Sequence, residues 1–340
     1  YLGRPRSAFK ARVNTTKVMN IQRVMILDEV HPCLESHLLE TGLFEILDYA
    51  KAGPEEIIQR LASTENPVHG LVVRSKLKLD AQILKSAKTL QWIARAGSGQ
   101  DGIDVEFAQH HNITLIHASE GNRLAVAEHV TAMILAWLNR LVSGHQQIHE
   151  GIWDREGNRG NQLAGITVGL IGYGHNGSQT ARILAALGCK VLVYDKYRSD
   201  YIPDDSGLIL ESTMDQIYQE AQILTLHIPL AEDTRNLVDW DFLARFRRLR
   251  LLVNAARGPI VSLPDLVLAL DRNLLEGACL DTLPIEDPQA WDRETMSSIL
   301  AHPRLLLSPH VAGWTVESYL GISEVLAQKI LAHLEEQGPV

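Results

Sequence analysis

LAGITVGLIGYGHNG, residues 163–177, runs from an apolar stretch through a turn into a helix. Residues 168–171 read as a buried strand. Gly172, Gly174 and Gly177 follow in G-x-G-x-x-G spacing, and Ile183, Leu184 and Leu187 then recur at helical intervals up to Gly188. In such a turn the first glycine permits the tight bend, the second lets a pyrophosphate approach the backbone, and the third lets the helix lie close to the strand. The free N–H groups and positive dipole end of that helix face the phosphates. Glycine triplets also mark ordinary turns, so the context decides. The next apolar run, 190–194, ends at Asp195, an acid placed to accept hydrogen bonds from an adenosine ribose. Its charge would repel a 2′-phosphate, which favours NAD over NADP; Lys196 and Arg198 close by temper that preference.

Outward from this unit, the chain has 340 residues, enough for about two domains with a substantial core. A formal net charge of -9 argues against nucleic-acid binding as the main role, though not against a local basic pocket. The cysteines Cys33, Cys189 and Cys279 are widely spaced, so neither a disulfide framework nor a metal site is expected, and the setting reads as reducing and cytoplasmic. The most apolar long segment, 124–138, is interrupted by Glu128 and His129, too early for a membrane span. Residues 1–18 carry five basic residues and no acid; they could pass for a transit peptide, but a disordered or appended extension before Met19 is the simpler reading.

From Ile21, short strand-like runs (24–27, 44–49, 70–73, 91–94 and 113–116) alternate with helical stretches (33–41, 54–61, 81–87 and 105–111). The alternation resumes after Asp195, with strands at 223–226, 251–255, 278–280 and 305–307 and helices at 214–220, 240–246 and 264–273. This predicts an α/β protein with two domains, each a parallel sheet covered by helices on both faces. Residues 122–141 read as one long helix, apolar on several sides and therefore suited to a subunit or domain interface. Residues 315–336 form an amphipathic helix expected to pack back on the first domain.

Ligands of open parallel sheets bind outside the carboxyl ends of the strands. Four apolar runs end at His227, Arg257, Asp281 and His310, with Glu286 shortly after Asp281. Singly these have ordinary explanations: structural histidines, a surface ion pair, a capping acid, a solvated acidic turn. Beside a nicotinamide site they acquire complementary uses. Arg257 can hold a carboxylate with a planar fork, His310 can carry a hydroxyl proton near neutral pH, and Glu286 can orient that imidazole and favour its charged form.

Taken together, GLIGYGHNG, Asp195, HIPL around His227, VNAARGPIV around Arg257, GACLDTLPIE through Glu286 and SPHVAGWT around His310 resemble the D-isomer-specific 2-hydroxyacid dehydrogenases. The resemblance implies two domains of Rossmann-like and flavodoxin-like type, with an NAD domain (120–310) inserted into a discontinuous substrate domain (19–119 and 311–340). It implies Arg257, Glu286 and His310 as the catalytic trio and a homodimer through the helix near 122–141. The cofactor contacts it implies are Gly172, Gly174, His175, Asn176, Gly177, Asp195, His227, Ile228, Ala255, Ala256, Asp281 and Gly313. Ser98 and Gly99 would join Arg257 at the substrate carboxylate. No metal, membrane or nucleic-acid partner is implied.

Within the family, VVRSKLKLD (72–80) and RAGSGQDGID (95–104) are most similar to the branch acting on 3-phosphoglycerate. That similarity implies oxidation to 3-phosphohydroxypyruvate in serine biosynthesis. Arg74, with Lys76 and Lys78, would then rim a phosphate site, unless the lysines merely form a solvated loop. Asn176 stands where the family has an aliphatic residue, and Trp314 where the phosphoglycerate branch has a small one. The sequence stops at Val340, short of the regulatory extension that many enzymes of that branch carry, so feedback by serine through such an extension is not expected. A glyoxylate or hydroxypyruvate reductase is the alternative within the family, and an NAD-sensing corepressor-like binding protein the alternative from another class.

Overall fold

A computed structural model describes residues 21–202, 207–290 and 292–337. Residues 1–18 and Met19, read above as an extension and a start, lie outside the described residues.

The first sheet contains β1 (Gln22–Ile26), β2 (Phe44–Asp48), β3 (Gly70–Val73), β4 (Trp92–Arg95) and β5 (Thr114–His117). All its neighbours pair in parallel, in the order β2-β1-β3-β4-β5, the flavodoxin-like arrangement. Its helices are α1 (Cys33–Leu39), α2 (Pro54–Leu61), α3 (Ala81–Ser86) and α4 (Val105–His110). Successive strand side chains point to opposite faces, and the core divides accordingly. Val24, Ile26, Val72 and Ala94 pack with Leu34 and Leu38 of α1, while Met25, Leu27, Leu71 and Ile93 pack with Ile57, Leu61 and Leu84 of α2 and α3.

Next come α5 (Arg123–Leu138) and α6 (Leu141–His149), which lead to β6 (Thr167–Ile171), α7 (His175–Ala186), β7 (Lys190–Tyr194) and β8 (Ile209–Glu211). The second half continues with α8 (Met214–Glu220), β9 (Ile223–Leu226), α9 (Trp240–Ala244), β10 (Leu251–Asn254), α10 (Leu263–Asp271), β11 (Gly277–Leu280), α11 (Arg293–Leu300) and β12 (Leu305–Leu307). The strand order is β12-β11-β10-β9-β6-β7-β8, again all parallel. This is the Rossmann order with one strand added, and its reversal point lies between β6 and β9. Strands β9, β10 and β11 are buried at every position, as expected for a sheet covered on both faces. The last helix, α12 (Val316–Gln337), returns to the first sheet, where Ile322, Leu326 and Ile330 join Val24, Ala94 and Ile116.

The single helix expected over 122–141 is two. Arg140 adopts a left-handed backbone (φ +52°) between α5 and α6 and breaks the hydrogen-bond ladder. Much of the apolar surface of α5 is also satisfied within the chain: Val126, Val130, Met133 and Ile134 pack on Val168, Ala181 and Leu184. Apart from Leu124 at its start, the exposed apolar side chains of this region lie further on, at Leu141, Val142, Ile148, Ile152 and Trp153. Among the described residues no helix is long and apolar enough to cross a membrane, and no cluster of three or more His, Cys, Asp or Glu could hold a metal.

Candidate active site

The glycine turn follows β6 at the reversal point of the second sheet. Gly172 sits at φ +95°, and a Cβ there would stand 2.5 Å from the His227 carbonyl oxygen. A Cβ on Gly177 would lie 1.9 Å from the Gly172 carbonyl oxygen, whereas around Gly174 the space is open. Two glycines are thus enforced by backbone contact, and the middle one leaves room for a pyrophosphate. Helix α7 starts at His175 without a side-chain cap, and its first backbone bond runs from Ser178 N–H to the Gly174 carbonyl. By contrast Asp80, Asp104, Thr213 and Asp239 cap α3, α4, α8 and α9. The turn therefore fits a dinucleotide.

Asp195 accepts from Tyr173 N–H (2.8 Å) on one oxygen and Tyr197 N–H (3.0 Å) on the other. A carboxylate oxygen has acceptor capacity beyond one such bond, which leaves room for ribose hydroxyls. Lys196 is committed to Asp233 at 2.5 Å, and Arg198 donates to the Tyr173 carbonyl at 2.9 Å. His175 points across to the first half of the chain, with Nε2 3.6 Å from Glu120 Oε1; Glu120 in turn accepts from Lys329 of α12 at 2.7 and 2.9 Å. Asn176 Oδ1 is buried without a protein partner. Burial pushes the His227 imidazole down to about 4, so it is neutral at neutral pH, with Nε2 3.1 Å from Thr225 Oγ1. Ile228 packs beside Gly172.

Asp281, at the end of β11, is 1% exposed. Its Oδ1 accepts from Ser308 Oγ (2.5 Å) and Val311 N–H (3.0 Å), its Oδ2 from Ala312 N–H (2.9 Å), and His129 of α5 stands 3.4 Å away. Burial alone would raise this carboxyl, but His129, Ser308 and the two amides outweigh it and hold the group at about 2. The Asp281 side chain, named above as a cofactor contact, ties the loop that carries His310. Its backbone carbonyl also accepts His310 N–H at 2.7 Å. These bonds retain His310 at φ +54°, a left-handed conformation uncommon for a side chain of this size. His310 Nδ1 lies 2.8 and 3.0 Å from the two Glu286 oxygens, which leaves Nε2 for another partner. Both side chains reach solvent, at 43% and 50% exposure.

Arg257 follows β10 and crosses to the first sheet. Asn254, fully buried, fixes its turn: Nδ2 donates to the Arg257 carbonyl (2.9 Å) and Oδ1 accepts Ala256 N–H (3.1 Å). Arg257 Nε donates to Asp101 (2.5 Å) and Nη1 to the Ala256 carbonyl (2.6 Å). Nη2 lies over Gly99, 1.5 Å from where a Cβ would be, so only glycine permits this approach. Ser98 Oγ donates to Asn122 (3.2 Å), whose amide nitrogen leaves no room for a Cβ on Gly313. Arg95, at the end of β4, is lowered to about 10 by burial and by the neighbouring Arg257.

The loop after β3 is held by Asp28, which accepts the N–H groups of Arg74 (2.6 Å), Ser75 (3.2 Å) and Lys76 (3.2 Å). The Arg74 guanidinium stacks on Trp314, 3.6 Å from its ring centroid. Lys76 does not join a basic rim, because its ammonium donates to the carbonyls of Tyr49 (3.1 Å) and Ala50. The cations gathered between the sheets are therefore arginines. Sequence reasoning passed over Arg95, Asp101 and Asn254, although the first two stand within RAGSGQDGID and the third ends an apolar run. A cavity of about 570 Å³, lined by Trp137, Arg140, Arg250 and Arg304 among others, shares no residue with this site.

Comparison with known proteins places this arrangement in a family. The family model described as D-isomer specific 2-hydroxyacid dehydrogenase, NAD binding domain, matches residues 131–312, which include the glycine turn, Asp195, Arg257, Glu286 and His310. The chain belongs to the D-isomer-specific 2-hydroxyacid dehydrogenase family. It is 31% identical over 309 residues to the D-3-phosphoglycerate dehydrogenase of Archaeoglobus fulgidus, covering 91% of this chain and 56% of that one. Against the D-3-phosphoglycerate dehydrogenase of Bacillus subtilis it is 29% identical over 280 residues, covering 81% and 52%. The chain thus spans about half the length of these curated relatives. A crystal structure of a Thermus thermophilus protein superposes with a TM-score of 0.76 at 27% identity, covering 94% of this chain and 98% of that one.

Proposed function

We propose that this chain oxidises a D-2-hydroxy acid with NAD, and that the acid is 3-phosphoglycerate, converted to 3-phosphohydroxypyruvate. The observation that carries the reaction class is the pairing of His310 Nδ1 with Glu286, which leaves Nε2 open near the ends of the strands that present Arg257 and the glycine turn. NAD, held at the turn of Gly172, Gly174 and Gly177 and at Asp195, would supply the acceptor for the C2 hydride. Arg257 Nη2 and the amides of Ser98 and Gly99 hold the substrate carboxylate. His310 Nε2 takes the hydroxyl proton as C2–H leaves with its electron pair and C2–O becomes a double bond. Glu286 favours the resulting imidazolium. Asp281 acts through the loop it ties rather than by touching the cofactor.

The phosphorylated substrate is supported by the names of the curated relatives and by Arg74 and Arg95, which bring guanidinium groups to the same cleft as Arg257. The second reading, a glyoxylate or hydroxypyruvate reductase, is favoured by one observation: Trp314 stands close to His310 in sequence and stacks on Arg74, which narrows the space for substituents. In the same proposal residues 120–310 form the NAD domain and 19–119 with 311–340 the substrate domain, a division supported by the packing of α12 on the first sheet. Self-association uses the exposed apolar side chains from Leu141 to Trp153; sedimentation of a Trp153→Glu variant tests it.

The reaction is tested with a panel of D-2-hydroxy acids, phosphorylated and not, and their keto acids, followed by NADH absorbance. In His310→Ala, kcat is expected to fall by about 10²–10⁴ while NAD binds within about twofold of wild type. Retention of turnover in that variant removes His310 as the acid/base.

A further inference from the structure

Trp314 has no part in the proton or hydride steps, yet its position is firmly built. Its backbone N–H donates to the Val311 carbonyl (2.9 Å), and the preceding Gly313 is pressed against Asn122. Tyr319 meets the indole edge-on at 5.5 Å and 68°, and His31 meets Tyr319 in turn at 5.5 Å and 74°. The indole is 44% exposed, so burial does not explain it. Over its face lies Arg74, at a separation of 3.6 Å.

Arg74 is half-buried, and its guanidinium makes no ion pair with a carboxylate among the described residues. Asp28 is occupied by three backbone amides and Asp101 by Arg257. With Arg95 beside them, the arginines of the cleft exceed the carboxylates that face them. A guanidinium stacked on an aromatic ring keeps its N–H groups in its own plane, so its edge stays open to a bidentate anion while its face is held.

We propose that Trp314 is a positioning residue that holds Arg74 edge-on for a second anionic group of the substrate. The pair thereby selects D-2-hydroxy acids that bear a phosphate or a second carboxylate beyond C2. This rests on the dehydrogenase reading above, but it concerns anion recognition and is measurable without turnover. Phosphate and carboxylate are separable: 3-phosphoglycerate carries the first and D-malate the second, and D-glycerate and D-lactate carry neither.

The test measures binding of these four acids to the full chain by calorimetry, and kcat and KM separately, for wild type, Trp314→Leu, Trp314→Phe and Arg74→Lys. Wild type is expected to bind at least one dianionic acid more tightly than either monoanionic one. Trp314→Leu is expected to weaken dianion binding and raise its KM by about three- to thirtyfold, with kcat and the monoanions little changed. Trp314→Phe restores part of the loss. Arg74→Lys resembles Trp314→Leu, because an ammonium has no planar fork. In an Arg74→Ala background, Trp314→Leu adds nothing. Tighter dianion binding in Trp314→Leu overturns the proposal in favour of a steric gate, and an equal loss for all four acids overturns it in favour of a structural role. Dianion selectivity without turnover of any acid removes the dehydrogenase reading alone; turnover without dianion selectivity removes this inference alone.

Discussion

Asp281→Asn is the change that most directly separates holding the catalytic loop from touching the cofactor. The carboxylate accepts Ser308 Oγ and the amides of Val311 and Ala312, and faces His129 at 3.4 Å. Asparagine keeps the volume but replaces one oxygen with an NH₂, which meets a donor whichever way it is turned. One buried N–H left unpaired costs about 1–3 kcal/mol, and loss of charge on the remaining bonds adds about 1 kcal/mol. The total is roughly 2–4 kcal/mol, equivalent to a fall in Tm of about 5–15 °C for a domain of this size. The same bonds keep His310 in its left-handed conformation. Turnover should therefore fall at least about tenfold, by the free-energy scale of one such bond, while the Kd for NAD stays within about twofold. Differential scanning calorimetry, steady-state kinetics and NAD titration on one preparation give all three quantities. An unchanged Tm with NAD binding weakened tenfold or more would refute this reasoning and make Asp281 a cofactor contact first.

Acid should act on the fold in two stages. The folded state holds His227 at about 4 against its ordinary 6.5, so its neutral form is favoured. Stability is full above 6.5 and falls by about 3 kcal/mol as pH drops towards 4. Asp281 is depressed, so its contribution is lost only below its ordinary 3.8, towards 2. His227→Asn should reduce the slope of the stability profile between pH 6.5 and 4, with His69, His117 and His333, which burial also lowers, supplying the remainder; an unchanged slope excludes His227 as a source. The glycine turn offers a paired contrast. Gly174→Ala enters open space and should leave Tm within about a degree while NAD affinity falls at least tenfold, because the methyl stands in the path of the pyrophosphate. Gly177→Ala would meet the Gly172 carbonyl oxygen at 1.9 Å and should lower Tm and NAD affinity together. Equal behaviour of the two variants contradicts the division of labour between these glycines.

Most strands could be read from the sequence because a strand buried on both faces is a short unbroken apolar run. Residues 223–226, buried at all four positions, were placed correctly for this reason; the edge strand 305–307 was legible from its apolar run although its three residues are only half-buried. Edge strand β8 was missed: it has three residues, and only Ile209 is buried. The break between α5 and α6 was missed because it depends on one residue at positive φ, which hydrophobic periodicity does not register. Helix α11 was missed for a related reason, since an eight-residue amphipathic helix after an acidic, proline-bearing turn resembles the turn continuing.

The site divides along the same line between local and remote information. The glycine turn is written in consecutive residues, and its geometry follows from them. The contacts that aim the side chains proposed for catalysis are not: Asp101 and Arg257 are 156 residues apart, and His129 and Ser308 are 179 apart. No periodic signal links such pairs. Asp281 and Glu286 show how the fold then chooses between like residues. Both are acids after β11, and strand-end position alone directs both to the ligand. The 308–312 loop, however, presents a part-buried amide at Val311 and a buried one at Ala312 that need an acceptor, and a buried N–H left unpaired costs about 1–3 kcal/mol. Asp281, adjacent to the strand, is drawn inward to meet them. Glu286, beyond Pro284 on an exposed loop, is left free to face His310, so backbone pairing decides which acid is left to meet the imidazole.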